Sequence, residues 1–316
     1  MADLILPIAF IIIVVLGGAV AVFFARKKPT TQNLFSNTPT LDHFSLDLTD
    51  LARKGALDPI IGRKEEIDQL TRVLGRRTKN NAVLIGKAGI GKTSIVEGLA
   101  QNIINHKVTP DLFEKRLLSL NLNSLMAGTK YRGEFEGRIK KITEEISGSN
   151  RNIILFIDEI HNIIEPENSG ESISIGDILK PAMARGELQV VGATTLQEYE
   201  LYFNKDPAFK RRMQPIFVAE PDETETIRIL RGIKYKYEQY HQVKFSDEAL
   251  RACVEKAVGI LPDRSFPDKA IDIMDEVASK VKMDFYQNPN KVGYEVAEVK
   301  ISDVDEVIEE YKKVTV

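Results

Sequence analysis

NAVLIGKAGIGKTSIVEGLA, residues 81–100, is the stretch on which the fold turns. Ala82 to Ile85 form a short apolar run, which suits a parallel strand covered on both faces. Gly86-Lys87-Ala88-Gly89-Ile90-Gly91-Lys92-Thr93 then follows the pattern G-x-x-x-x-G-K-[ST], and Ile95, Val96 and Leu99 recur at helical spacing. Strand, glycine loop and helix in that order are the context a phosphate-binding loop requires. The glycines let backbone N–H groups approach phosphate oxygens, and the helix N-terminus adds positive potential. Gly86, Lys87, Ala88, Gly89, Ile90, Gly91, Lys92, Thr93 and Ser94 are therefore the expected nucleotide contacts. Lys92 would neutralise β- and γ-phosphate charge, and Thr93 would ligate Mg²⁺.

Further out, Ile153-Ile154-Leu155-Phe156-Ile157 is a second apolar run, ending in Asp158 and Glu159. A buried strand delivers both carboxylates to the sheet edge where ligands bind in open α/β folds. Asp158 suits the Mg²⁺ shell, and Glu159 suits polarising or deprotonating an attacking water. Residues 188–195 (LQVVGATT) read as another strand ending in hydroxyl residues. A polar side chain there reaches the γ-phosphate or its water; taken alone, the threonines are ordinary turn residues. After Pro221 the pattern turns helical over residues 226–240, 247–258 and 268–282, with Ser246 capping the second helix. The end of the chain reads as a strand, a Ser302 cap and a final helix. The expected organisation is an α/β domain over residues 41–220, its parallel sheet flanked by helices, and a small helical domain over 221–316.

The 316 residues are 43% hydrophobic and 28% charged, a composition that packs a core. Net charge is −3, so no general electrostatic pull toward nucleic acid is expected. A single cysteine, Cys253, excludes an internal disulfide. His43, His106, His161 and His241 lack metal-ligand spacing, and His161 reads as a structural residue of the loop after the acidic pair. Residues 4–24 carry no charge, and a helix of that length spans about 30 Å, a bilayer core. A cleaved signal peptide is the competing reading, since Ala19-Val20-Ala21 has an A-x-A shape. However, the run lacks a positive n-region, exceeds a signal h-region and ends in Arg26, Lys27 and Lys28. Residues 1–28 therefore read as a transmembrane anchor with those cations on the cytoplasmic side. Residues 29–40 read as a linker, and the rest of the chain faces the cytoplasm.

With these residues placed, the chain from Thr38 to about Met283 resembles the first ATPase module of Clp-type AAA+ unfoldases. The resemblance rests on LDPIIGRKEEI (57–67), RRTKNNAVLIG (76–86), AGTKYRGEFEGRIK (127–140) and LFIDEIH (155–161). It continues through LKPAMARGELQVVGATTLQEY (179–199), DPAFKRRMQPI (206–216) and FPDKAIDIMDEVAS (266–279). It implies a P-loop NTPase fold of the AAA+ type with a helical lid, and ATP and Mg²⁺ as cofactors. Ile60, Ile61 and Gly62 look like the segment lining the adenine pocket. Thr195 looks like the sensor of the γ-phosphate, with Thr194 beside it. Arg211 and Arg212 look like arginine fingers, which complete a neighbour's site in trans. That action requires a homo-oligomer, and the family forms hexameric rings. Lys130, Tyr131, Arg132 and Gly133 look like the first pore loop, whose aromatic grips protein substrates; residues 166–176 occupy the place of a second. Lys269 falls where a second nucleotide sensor lies.

The chain departs from the family in four places. The soluble proteins' N-terminal adaptor domain is replaced by the membrane helix. No coiled-coil middle domain interrupts the lid, so disaggregation with an Hsp70-type chaperone is not expected. No second ATPase module follows, and with it goes the hydrophobic loop that docks a peptidase, so docking of a Clp peptidase is not expected. Two readings remain open. One is a membrane-anchored ring that hydrolyses ATP to unfold, thread or remodel proteins. The alternative is a nucleotide-gated membrane scaffold or regulator that translocates nothing.

Overall fold

Asn81–Ile85 forms a strand, β2, that is buried at every position in a computed structural model describing residues 38–128, 132–164, 175–261, 263–287 and 296–314. The anchor read over residues 4–24, the linker up to residue 37, Lys130, Tyr131 and residues 166–174 lie outside the described residues. Among the described residues no helix is long and apolar enough to cross a membrane.

Six strands make the main sheet in the order β1-β3-β4-β5-β2-β6. They are β1 (Ser45–Asp47), β2, β3 (Arg116–Leu120), β4 (Ile153–Ile157), β5 (Gln189–Thr194) and β6 (Met213–Phe217). Only β1 runs antiparallel; every other pairing in this sheet is parallel. The continuous apolar runs have a simple cause: both faces are covered. Val83, Ile85, Ile153, Leu155 and Ile157 point to one core cluster. Ala82, Leu84, Ile154 and Phe156 point to the other. The strand period of two thus sends alternate residues into two separate apolar layers. Helices α1 (Lys64–Leu74) and α2 (Lys92–Ile104) cover the second face with Leu70, Val73, Ile95, Leu99 and Ile103. Helices α3 (Arg132–Gly148) and α4 (Ile175–Arg185) cover the first with Ile139, Ile142, Ile146 and Leu179.

A third cluster belongs to the C-terminal unit. It is built from α5 (Glu223–His241), α6 (Asp247–Ile260), α7 (Asp268–Gln287) and α8 (Ile301–Val314), with a two-stranded parallel sheet of β7 (Val243–Phe245) and β8 (Ala297–Val299). Asp222 caps α5 by accepting from the Glu225 N–H at 2.7 Å. Ser246 Oγ accepts from the Ala249 N–H at 3.2 Å, the cap expected for α6. These helices run one to five residues past the apolar periodicity at their C-terminal ends. Ser302 is not the cap of α8, since it lies within the first turn, and Asp303 accepts from the Lys300 N–H at 2.7 Å.

Asn81 ties the start of β2 to both neighbouring strands. It is 1% exposed, and its Oδ1 accepts from the Val190 N–H at 2.8 Å. Its Nδ2 donates to the Arg212 carbonyl at 3.4 Å. Asn81→Ala leaves a buried N–H without an acceptor and is expected to destabilise the domain by about 1–3 kcal/mol. Urea unfolding followed by circular dichroism checks this, and a midpoint equal to the parent's would refute it.

Candidate active site

The loop after β2 is shaped by close approach. A Cβ on Gly86 would lie 2.2 Å from Ile90 Cδ1 and 2.7 Å from the Val218 carbonyl oxygen. Gly89 has φ +74°, and a Cβ there would lie 2.7 Å from Asp268 Cβ on the C-terminal unit. Both are positions where backbone must pass near another element, and no side chain fits. Helix α2 begins at Lys92, so its first N–H groups open onto the loop.

Strands β4 and β5 end on the same edge, and a cavity of about 420 Å³ opens there. Ala88, Gly89, Gly91, Lys92, Thr93, Ser94, Asp158, Glu159, Thr194, Thr195 and Glu198 line it, with Pro267, Asp268 and Ile271 from the C-terminal unit. Lys92 Nζ donates to the carbonyls of Gly86 at 2.8 Å and Lys87 at 2.7 Å. Burial pulls the Lys92 ammonium below its ordinary pKa, while the charges of Asp158, Glu198 and Glu159 oppose that pull. Thr93 Oγ1 donates to Asp158 Oδ2 at 3.4 Å. A hydroxyl and a carboxylate so placed suit a small oxygen-seeking cation that takes few protein ligands and completes its shell with water and phosphate oxygens, as Mg²⁺ does. Glu159 sits at φ 48°, in the left-handed region, and its Oε2 accepts from Asn162 Nδ2 at 3.2 Å. Left-handed backbone on a non-glycine residue is uncommon, and here it coincides with the strand end that faces the cavity.

Ile60 and Ile61 border a second, smaller cavity of about 120 Å³ that adjoins the first through Gly91 and Ser94. Ile90, Ile229, Ile233, Ile271 and Tyr237 continue its apolar wall, which suits a flat aromatic base, while Asp58, Arg63, Ser94 and Glu97 give it a polar side. Gly62 does not line it; at φ +73° it turns the chain there, beside Glu225. Arg63 holds this segment to the phosphate loop. It is 8% exposed and donates to the Ile90 carbonyl at 2.7 Å, the Ala219 carbonyl at 2.9 Å and Glu66 Oε1 at 3.0 Å. A lone arginine in a lead-in segment gives no sign of that role in a single sequence. Glu198 was equally silent as a site residue, although Thr195-x-x-Glu198 has the spacing of a capping box.

Two further residues sit differently from expectation. Lys87 does not add a free cation near the phosphates, because its Nζ pairs with Glu220 Oε2 at 3.1 Å. Lys269 is buried away from the cavity lining, with its ammonium 4.1 Å from the Phe266 ring centroid. Arg211 and Arg212 are not in the cavity either. They precede β6, which is parallel to β2, and so lie at the edge opposite the phosphate loop. A five-residue strand separates the two edges by roughly 15 Å. There they border a cavity of about 370 Å³ together with Arg77, Lys79, Arg151 and Arg185. Arg132 and Gly133 open α3, and Gly133 is exposed.

Residues 82–220 match the family model for the ATPase family associated with various cellular activities (AAA), and residues 222–315 match the AAA lid domain. The ClpC ATP-binding subunit of the ATP-dependent Clp protease from Staphylococcus aureus (strain USA300) is 50% identical over 277 residues, covering 87% of this chain and 34% of that protein. Its counterpart from Staphylococcus epidermidis (strain ATCC 12228 / FDA PCI 1200) is 49% identical over 266 residues, covering 84% and 32%. The chain therefore spans about a third of the length of the curated relatives it matches. Among solved structures, the S. cerevisiae Hsp104-ADP complex superposes with a TM-score of 0.74 at 46% identity, covering 80% of this chain and 35% of that one. The closed state of Hsp104 with ATPγS and FITC casein superposes with a TM-score of 0.75 at 44% identity, covering 86% and 46%. The chain belongs to the AAA ATPase family, an ATPase domain followed by its lid, and is similar to a Clp-type module.

Arg63→Ala removes three acceptors' donor at once and leaves Glu66 without its partner. It is expected to destabilise the domain by roughly 3–5 kcal/mol, the range for breaking a buried ion pair, and to weaken ATP binding. Thermal melting and nucleotide titration test this; parental values in both would sink it.

Proposed function

Taking the chain as an AAA-type ATPase module, we propose that it is a membrane-anchored motor that assembles head to tail and remodels protein substrates. One observation carries the assembly: Arg211 and Arg212 stand at the sheet edge opposite their own phosphate loop. They can stabilise transition-state charge only in another copy. A head-to-tail contact of this kind closes into a ring when its rotation allows, and the Clp-type resemblance favours six copies.

Within one site the roles follow from the lining residues. Backbone N–H groups of residues 86–94 hold the triphosphate, and Lys92 neutralises its β- and γ-oxygens. Thr93 and Asp158 would hold Mg²⁺, which would supply further charge neutralisation to the triphosphate. Glu159 orients the attacking water, with Asn162 steadying its carboxylate. Thr194 and Thr195 face the same cavity and sense the γ-phosphate. Ile60 and Ile61 clasp the base, and Gly62 sets the turn beside them.

The substrate-handling part rests on the resemblance. Solved structures similar to this chain include Hsp104 complexes with casein. By that likeness Tyr131, between Lys130 and Arg132, grips an extended polypeptide through a large contact surface with few rotors to freeze. The uncharged run at residues 4–24 and the cations at 26–28 anchor the module with its ATPase on the cytoplasmic side.

Two experiments test this reading. Arg211→Ala and Glu159→Gln chains should each lose about tenfold or more of their ATPase rate. When mixed, they should recover part of it, because one supplies a finger and the other a competent site. Recovery absent at every ratio would remove the trans assignment. Separately, Tyr131→Ala should leave basal hydrolysis within about twofold of the parent while abolishing its stimulation by unfolded casein; undiminished stimulation would remove the pore-loop assignment.

A further inference from the structure

Glu198 has no part in the phosphate loop, the acidic pair or the fingers, yet it lies at the junction of two of the site's strands. The ends of β4 and β5 lead into different loops. After β4 come Asp158, Glu159 and a short 3₁₀ turn, Ile160–Ile163, that carries His161. After β5 come Thr195 and the turn Leu196–Glu198. One carboxylate oxygen joins them. Glu198 Oε2 accepts from Thr194 Oγ1 at 3.0 Å and from the Thr195 N–H at 2.9 Å. The same oxygen lies 3.3 Å from His161 Nδ1. His161 Nδ1 is also 3.2 Å from Thr194 Oγ1.

The proton directions follow. Thr194 has one hydroxyl proton and donates it to Glu198, so its oxygen faces His161 as an acceptor. His161 must then carry its proton on Nδ1 and share it between Thr194 Oγ1 and Glu198 Oε2. The imidazole ring is fixed from its other side by Tyr202, stacked at 5.4 Å. Burial works against the Glu198 charge, but the hydrogen bonds from Thr195 and Thr194 and the electrostatic interaction with His161 outweigh it and hold its carboxyl below the usual range.

A helix cap explains only part of this. The reciprocal bonds between Thr195 and Glu198 form a capping box, which needs neither Thr194 nor His161. Those two bring in the end of β5 itself and the turn that follows Glu159. Glu159 and His161 are two residues apart, and Asn162 of the same turn holds the Glu159 carboxylate. Glu198 therefore ties the two threonines and the Glu159 turn to a single point, on the wall of the cavity that takes the phosphates.

We propose that Glu198 is a positioning residue for ATP hydrolysis, fixing the placement of Glu159 relative to Thr194 and Thr195 through His161. A displacement of about 1 Å at a reacting group costs up to about a hundredfold in rate, so loosening this point acts on turnover more than on binding.

The test uses the full chain with Glu198→Ala, Glu198→Gln and Thr194→Val, following turnover, ATP affinity and thermal melting. Glu198→Ala should lower kcat by about 10- to 100-fold while the dissociation constant for ATP changes less than about threefold. Glu198→Gln should return kcat to within about fivefold of the parent, because a carboxamide oxygen accepts the same threonine donors. Thr194→Val, which keeps the capping box, should lower kcat in the same direction, and its effect should not add to that of Glu198→Ala. If Glu198→Ala melts too low to assay, the Gln and Val variants carry the same comparison. Parental turnover in Glu198→Ala would overturn the proposal. So would kcat, affinity and melting all falling together without rescue by Gln, or full additivity with Thr194→Val. Rates are compared as ratios to the parent at one concentration, so the result stands whether or not Arg211 acts in trans.

Discussion

The parallel register of β5 with its two neighbours sets Gly192 opposite Ile157 and Thr194 opposite Ile85. The site depends on this pairing. With β5 held between β4 and β2, the three strands end together, and Asp158, Thr194 and Gly86 reach one edge. Gly192 has a second duty there. A Cβ on it would lie 2.4 Å from Ile160 Cδ1, so only glycine lets Ile160 drop onto β5 and bury completely. That contact folds the turn after Glu159 back over the sheet and brings His161 to Thr194. A slip of one residue in β5 would exchange its two faces and break the alternation that feeds both apolar layers. Register is thus set by the core, and the chemistry inherits it.

Charge at this edge is arranged around the same geometry. Lys92 is half withdrawn from water and is held to two carbonyls by short hydrogen bonds. Asp158, Glu159 and Glu198 surround it and stabilise its charged form against burial. These acids would repel a triphosphate unless cations stood between, which is the place proposed for Lys92 and a divalent ion. The basic residues that would balance a further negative charge, Arg211 and Arg212, lie at the far edge. One edge of the sheet is thus acidic and the opposite edge basic, a complementarity that would orient the proposed head-to-tail encounter.

Much of this was legible in the residues. Two apolar runs, each ending in charged or glycine-rich residues, marked β2 and β4, and the glycine pattern marked the loop. Helix spacing over residues 226–240, 247–258 and 268–282 marks the second unit. The remainder was hidden because it depends on contacts between distant segments. Arg63 reaches the Ile90 carbonyl across 27 positions, and no local pattern encodes that. Lys87 reads as an extra cation near the phosphates, but Glu220, 133 positions away, holds it. Lys269 carries a charge, but the Phe266 ring beside it and its burial decide its orientation. The opposite placement of Arg211 and Arg212 needed the strand order, which a linear pattern does not contain.

The boundary between the ATPase domain and the lid combines weak and strong contacts. Glu220 stands on it, accepting from the Phe266 N–H at 2.9 Å with one oxygen and from Lys87 with the other. The Lys87 side chain is 75% exposed, so this ion pair contributes at most about 1 kcal/mol. Apolar burial weighs more: each large aliphatic side chain fully withdrawn from water contributes roughly 1.5–3 kcal/mol. Around the small cavity, Ile60, Ile61 and Ile90 come from the ATPase domain, and Ile229, Ile233 and Ile271 from the lid. Gly232 lets α5 close on Ile61, since a Cβ there would lie 2.4 Å from Ile61 Cγ1. A base inserted between the two sets touches both units at once. Its binding energy then depends on how the units are placed, and by linkage its arrival or departure shifts that placement. On the proposed reading, the apolar wall, rather than the exposed ion pair, is what would make the lid responsive to nucleotide.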